Sequence, residues 1–353
     1  MKHKILYFLI LLPFVISSCS KSTATASSTS TTPRTLIVMT HDSFAASQGV
    51  ITAFETANNV KIQFLKSGDA GTALNKAILA KDNPFADVFY GVDNTFLSRA
   101  LSEDIFIPYD SPMLSVIPEQ YKQDLQNRAL PVDWGDVCVD YDKTYLKQHN
   151  LQVPQNLEDL LKPQYKGLMV VENPATSSPG LAFLLATVGH FGQANYLDYW
   201  KGLGANNVLV VNDWNTAFYT NFTISGGDRP IVVSYNSDPA FEISGSTTPI
   251  SEPQIGVIAS DGACFQQVEF VGILKGTNNL DLAQKWVDFM LSPAFQEDMP
   301  TQMYVFPVNP NAKLDAMIQK YLVIPKNPAF LRPADIAANR EAWINAWTQT
   351  VLR

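Results

Sequence analysis

Residues 35–40 read TLIVMT, and the chain then passes through His41-Asp42-Ser43-Phe44 into a stretch ending near Asn58. A short β-branched run followed by a polar loop and a helical pattern is one strand-loop-helix unit, with Asp42 or Ser43 as the expected helix cap. The order recurs twice. Residues 60–65 (VKIQFL) lead through the turn 68–72 (GDAGT) to a helix at 73–80, with Leu74, Ala77 and Ile78 on one face. Residues 87–90 (DVFY) lead through Gly91-Val92-Asp93 to a helix over 94–101. Three such units in succession predict an α/β fold with a mainly parallel sheet.

Outward from this series, residues 131–141 (PVDWGDVCVDY) form another extended run, followed by strands at 168–172, 207–211 and 230–235, with helices after Pro179 and from Trp214. A strand at 267–274 (QVEFVGIL), an amphipathic helix at 280–291 and a final helix at 338–351 complete the chain. No period of 20–50 residues repeats, so a solenoid is excluded. The segments fit two α/β lobes, the second inserted into the first: residues 35–134 and 267–353 in lobe 1, residues 135–266 in lobe 2. Open parallel sheets bind ligands beyond the carboxyl ends of their strands. Polar and aromatic residues gather in those loops, which directs attention to His41-Asp42-Ser43, Asp69-Ala70, Asn173 to Gly180, Trp214 and Tyr235 to Phe241.

Ahead of the lobes, Lys2 and Lys4 precede an apolar run over residues 5–16, too short to span a bilayer and the right length for a signal-peptide core. It ends Ile16-Ser17-Ser18-Cys19, so residues 1–18 are expected to be a signal and Cys19 the lipidated first residue of the exported chain. Residues 19–34 then read as a tether: between 20 and 33, ten of fourteen residues are Ser or Thr, a flexible-linker composition. Removing residues 1–18 leaves 23 basic and 33 acidic side chains. That acidic balance, with no basic run, argues against nucleic acid as a partner. Cys138 and Cys264 remain for the body, and the sequence leaves a disulfide and two buried thiols equally open.

Catalytic and cofactor motifs are missing. There is no G-x-S-x-G elbow, no G-x-x-x-x-G-K-[ST] phosphate loop and no G-x-G-x-x-G turn, and His41, His149 and His190 are dispersed without a second ligand at helical spacing. A binding protein without cofactor or metal is favoured over an enzyme.

The exported form, the interrupted two-lobe order and residues 285–300 (KWVDFMLSPAFQEDMP) resemble the solute-binding proteins of bacterial ABC importers. More narrowly, six collinear stretches resemble their thiamine-binding members: residues 40–46 (THDSFAA), 86–94 (ADVFYGVDN), 173–181 (NPATSSPGL), 233–241 (VSYNSDPAF), 292–307, and 333–347 (PADIAANREAWINAW). The resemblance implies the two-lobe periplasmic-binding-protein fold of type II, with ligand in the interlobe cleft. It also implies a monomer that captures thiamine or its phosphate or diphosphate and delivers it to a permease and ATPase at a membrane. By position it assigns ligand contact to Asp69-Ala70, Ser177, Trp214 and Tyr235, with Phe241, Tyr304 and His41 standing where better-known members have other aromatics and Gln48 replacing a tryptophan.

Thiazolium is a permanent cation that accepts no proton, so ring faces and nearby carboxylates must hold it. Each candidate also has a plainer reading. Trp214 can staple a helix to the sheet, Tyr235, Phe241 and Tyr304 can be core, Asp69 and Ser177 can cap helices, and Asp42 and Ser43 can cap the loop they share with His41. Within the same class, ferric ion and polyamines are the alternative ligands, although Tyr235 is followed by Asn236 rather than the second tyrosine used for iron. From another class, a surface phosphate-ester hydrolase would show itself by His41 within reach of Ser43 or Ser177 with an acid behind it.

Overall fold

The computed structural model describes residues 32–246 and 250–352. The signal, Cys19 and nearly all of the tether lie outside the described residues. Arg34–Thr40 (β1) alternates into the core, with Leu36 and Val38 fully buried, and pairs in parallel with Val60–Lys66 (β2) on one edge and Val88–Asp93 (β3) on the other. The helix Ala70–Leu79 packs Ala73, Leu74 and Ala77 inward, as its apolar spacing demands.

Phe106–Ile107 (β4) is a short edge piece, and Leu130–Asp142 (β5) is the longest strand. A second parallel set consists of Met169–Glu172 (β6), Leu209–Val211 (β7) and Ile231–Tyr235 (β8), with β6 between the other two. Ile255–Ile258 (β9), Phe265–Leu274 (β10) and Phe306–Pro307 (β11) complete one sheet of order β2-β1-β3-β10-β5-β8-β6-β7. The two parallel sets are therefore joined through the antiparallel strands β10 and β5. β10 serves β5 from Phe265 and β3 from Glu269; β5 serves β10 up to Val137 and β8 from Val137 onward. The lobe boundaries read from sequence, 134/135 and 266/267, fall inside these two strands.

Cys138 and Cys264 are disulfide-bonded with Cα atoms 4.3 Å apart, tying β5 to the start of β10. Among the described residues no helix is long and apolar enough to cross a membrane.

One helix begins later than its sequence suggests. The segment after β1 stays irregular through residue 47 and the helix runs Gln48–Asn58 behind Ser47, not behind Asp42 or Ser43. The reason is tertiary: Ala45 N–H reaches Met303 Sδ at 3.0 Å and Ser47 N–H reaches Asp298 Oδ2 at 2.7 Å, so these donors are spent on a segment 250 residues away.

Candidate functional site

The loops that follow β1, β2, β6 and β7, with the end of β8, converge on one cleft, as carboxyl-end geometry requires. The cleft and its mouth hold about 550 Å³ of unfilled space. Six expected residues line it: His41, Ser43, Asp69, Trp214, Tyr235 and Tyr304, joined by Ser178, Asn215, Tyr219, Glu269 and Gln302 among others. The remaining four stand behind or beside the wall. Asp42 is exposed and its Oδ1 accepts from Gly68 N–H at 2.7 Å, shaping the loop that carries Asp69. Ala70 and Ser177 are buried. Phe241 lies against Tyr304, ring centroids 4.8 Å apart, and lines a neighbouring cavity with Phe218 and Ile255 that shares Tyr219 and Tyr304 with the cleft.

Asp69 connects the two sides. As the cap of the helix Ala70–Leu79 it accepts from Ala70 N–H at 2.6 Å, while its oxygens also accept from Ser178 N–H at 3.4 Å and Trp214 N–H at 3.0 Å across the cleft. Burial lifts its carboxyl above the usual range, against the Ser177 hydroxyl and these backbone donors, which favour the charged form. Thr72 N–H reaches Thr176 O at 3.2 Å beside it, and a Cβ on Gly71 would stand 2.9 Å from that same carbonyl and from the Phe96 ring. Only glycine allows so close an approach.

The aromatic wall joins the segment Trp214 to Tyr219 with Tyr235 from β8 and Tyr304. Trp214 stacks on Phe218 with centroids 5.0 Å apart and meets Tyr219 and Tyr235 edge-on, while its Nε1–H donates to Ser234 Oγ at 3.0 Å. Tyr235 spends its hydroxyl on Gln267 Oε1 at 3.0 Å, which leaves its ring for the cleft. Tyr304 sits at φ 60°, a left-handed conformation unusual for a bulky residue, and its carbonyl accepts from Ser237 Oγ.

His41 is held on both nitrogens. Nδ1 lies 2.8 Å from Ser43 Oγ and Nε2 lies 3.2 Å from Glu269 Oε1. Gly91, at φ 105°, gives the ring its room, since a Cβ there would come within 2.4 Å of it. Burial disfavours the imidazolium, yet Glu269, then Asp69 and Asp42, raise the His41 pKa above its ordinary value. Glu269 was missed by sequence reading. Its signal was a lone carboxylate inside QVEFVGIL, an otherwise largely apolar strand; of the segment 302–305 only Tyr304 was expected, from the resemblance, and Gln302, Met303 and Val305 gave no signal, since only folding brings them into the cleft.

These features are those of a two-lobe capture protein. Residues 83–330 match the bacterial extracellular solute-binding protein family, and the chain belongs to it. Among its relatives, the thiamine-binding periplasmic protein of Escherichia coli (strain K12) is 32% identical over 90% of this chain and 94% of its own length. A solved periplasmic thiamin binding protein superposes with a TM-score of 0.79 at 29% identity, covering 91% of this chain and 97% of that one. A ferric binding protein from Campylobacter jejuni matches with a TM-score of 0.71 at 20% identity, over 89% of this chain and 99% of the other, which reflects the fold alone.

Proposed function

We propose that this chain is the extracytoplasmic capture component of an ABC importer for thiamine, binding it between lobes that hinge on β5 and β10. The observation that carries this reading is the cleft wall: Trp214, Tyr219, Tyr235 and Tyr304 present rings, and Asp69 and Glu269 present carboxylates, to one space. That combination suits a ligand of two flat heterocycles, one of them permanently cationic. We place the lobe boundaries at 134/135 and 266/267, inside β5 and β10, the two strands that link the parallel sets. Lipidation at Cys19, a Ser/Thr tether, a monomeric body, and delivery to a permease and ATPase complete the proposal, and the chain itself performs no chemistry. The Asn236 that follows Tyr235, where iron capture would use a second tyrosine, favours an organic cation over ferric ion. Polyamines would call for carboxylates in place of the rings. Native mass spectrometry of the purified protein tests the reading: co-purified thiamine or a phosphate ester supports it, and a mass shift for iron, or no thiamine binding by calorimetry at micromolar concentration, refutes it.

One arrangement favours a second reading. Ser43, His41 and Glu269 stand in the order nucleophile, imidazole, acid, the pattern expected of a hydrolase. The same Ser43 and His41 pair also suits donation to a ligand oxygen, which needs no turnover. Turnover of a thiamine phosphate that disappears in Ser43→Ala would establish the hydrolase.

A further inference from the structure

Three carboxylates cross the middle of the sheet side by side. In register, Glu269 of β10 is opposite Asp93 of β3 on one edge and Asp133 of β5 on the other. All three are buried, and only Glu269 opens into the cleft. The groups that face this row are His41 from the loop after β1, Tyr90 from β3, Tyr235 from β8, Asp69 from the loop after β2, and Arg340, which acts on Asp93 from the final helix. Among the described residues no Lys or Arg lines the cleft.

The protons of this row can be placed. Tyr90 Oη lies 2.6 Å from Asp133 Oδ2 and 3.0 Å from Glu269 Oε2, and has one proton to give. Burial, then Glu269, pushes Asp133 well above the carboxylate range, while burial of Glu269 is outweighed by His41 and by hydrogen bonds from Asp133 and Tyr90, which hold it below its ordinary value. These opposite directions favour the neutral form of Asp133 and the charged form of Glu269. Asp93, raised by burial to about 7, donates nothing to this pair and accepts instead from Gln267 Nε2 at 2.6 Å.

Resting on the thiamine reading above, we infer that Glu269 is the fixed counter-charge of the cleft, selecting a ring cation over its neutral isostere and making capture release protons. The sign follows from electrostatics alone. A cation beside Glu269 competes with the His41 proton and lowers the proton affinity of Asp133, Asp93 and His41 together, so each loses protons on binding and affinity rises with pH. A neutral ring does none of this. An esterified ligand, with its own negative charge, does less of it. Deletion of one desolvated charge facing a cation predicts a loss of about tenfold or more in affinity.

The probes are thiamine and deazathiamine, the isostere whose thiazolium is replaced by a neutral thiophene. Calorimetry at pH 7 in two buffers of different ionisation enthalpy gives affinity and protons exchanged together. The wild-type protein is expected to prefer thiamine and to release protons to the buffer with thiamine only. Glu269→Gln is expected to lose thiamine affinity by tenfold or more, to keep deazathiamine within threefold, and to lose the proton release. Glu269→Asp, which retains the charge, is expected to restore the preference for thiamine. Equal losses for both ligands in Glu269→Gln, or wild-type capture without proton release, would overturn the counter-charge. A wild-type protein that binds both ligands alike removes the inference and leaves the thiamine reading intact, whereas one that binds neither refutes that reading and this inference with it.

Discussion

Replacing both Cys138 and Cys264 with alanine is expected to cost the molecule a large part of its stability while leaving the cleft nearly unchanged. The two residues are 126 apart in sequence, one on β5 and one just before β10, so the bond closes the chain between them into one loop. In the chain-entropy account, a loop of that length restricts the unfolded chain enough to contribute about 5 kcal/mol at 25 °C. Unfolding entropy of about 2.1 cal/mol/K per residue converts this to a drop of about 7 °C if the whole folded body unfolds as one unit, or about 18 °C if the inserted lobe unfolds by itself. Scanning calorimetry separates the cases: one shifted peak in the first, a split endotherm with the lower component displaced in the second. Both sulfurs are fully buried and neither lines the cleft, so thiamine affinity at 20 °C should change by less than threefold. A destabilisation below about 1 kcal/mol by chemical denaturation would refute the argument, because it would mean the two strand ends remain associated in the unfolded chain without the bond.

Three shorter predictions follow from the cleft and its supports. Tyr235→Ala removes a ring face and breaks the hydroxyl contact with Gln267, and titration should show thiamine binding weakened more than tenfold; unchanged affinity would place the ligand elsewhere. Gly71→Ala pushes a methyl to 2.9 Å from Thr176 O, an overlap of about 1–3 kcal/mol that opposes approach of the two loops. Ligand affinity should fall between about fivefold and a hundredfold with a more open solution scattering profile, and a compact profile with normal affinity would refute this. Stability of the unliganded protein should fall as pH rises: burial lifts Asp93 to about 7 and Asp136 and Asp238 to about 6, so their contribution is complete below pH 4 and is lost as pH climbs through 6 and 7. The melting temperature should therefore drop by several degrees from pH 5 to pH 8, opposite in direction to the rise in cation affinity, and a flat or rising profile would contradict these proton placements.

Much of the site was legible before folding. The loops after β1, β2 and β7 and the end of β8 carry His41, Ser43, Asp69, Trp214 and Tyr235 because strand-loop-helix periodicity is a local property, and the carboxyl-end rule then places those residues together. Tyr304 and Phe241 came from resemblance, and the structure places them on one wall of two adjoining cavities. Ser178 and Tyr219 were one and five residues from candidates already chosen. Glu269 was different in kind. Its importance depends on Asp133, Tyr90 and His41, which come from three other parts of the chain.

By itself the sequence determined the α/β class, most of the longer strands and helices, and the family, since these depend on composition and short-range spacing. It left open whether Cys138 and Cys264 meet, and it placed the start of the first helix too early. The first helix is delayed by Met303 and Asp298, which take the donors of Ala45 and Ser47, while β5 and β10, pairing antiparallel between two parallel sets, bring the cysteines within bonding distance and three carboxylates into one row. The state of each carboxylate is decided there as well. Charge and proton affinity respond to neighbours a few ångströms away in space, whichever part of the chain supplies them.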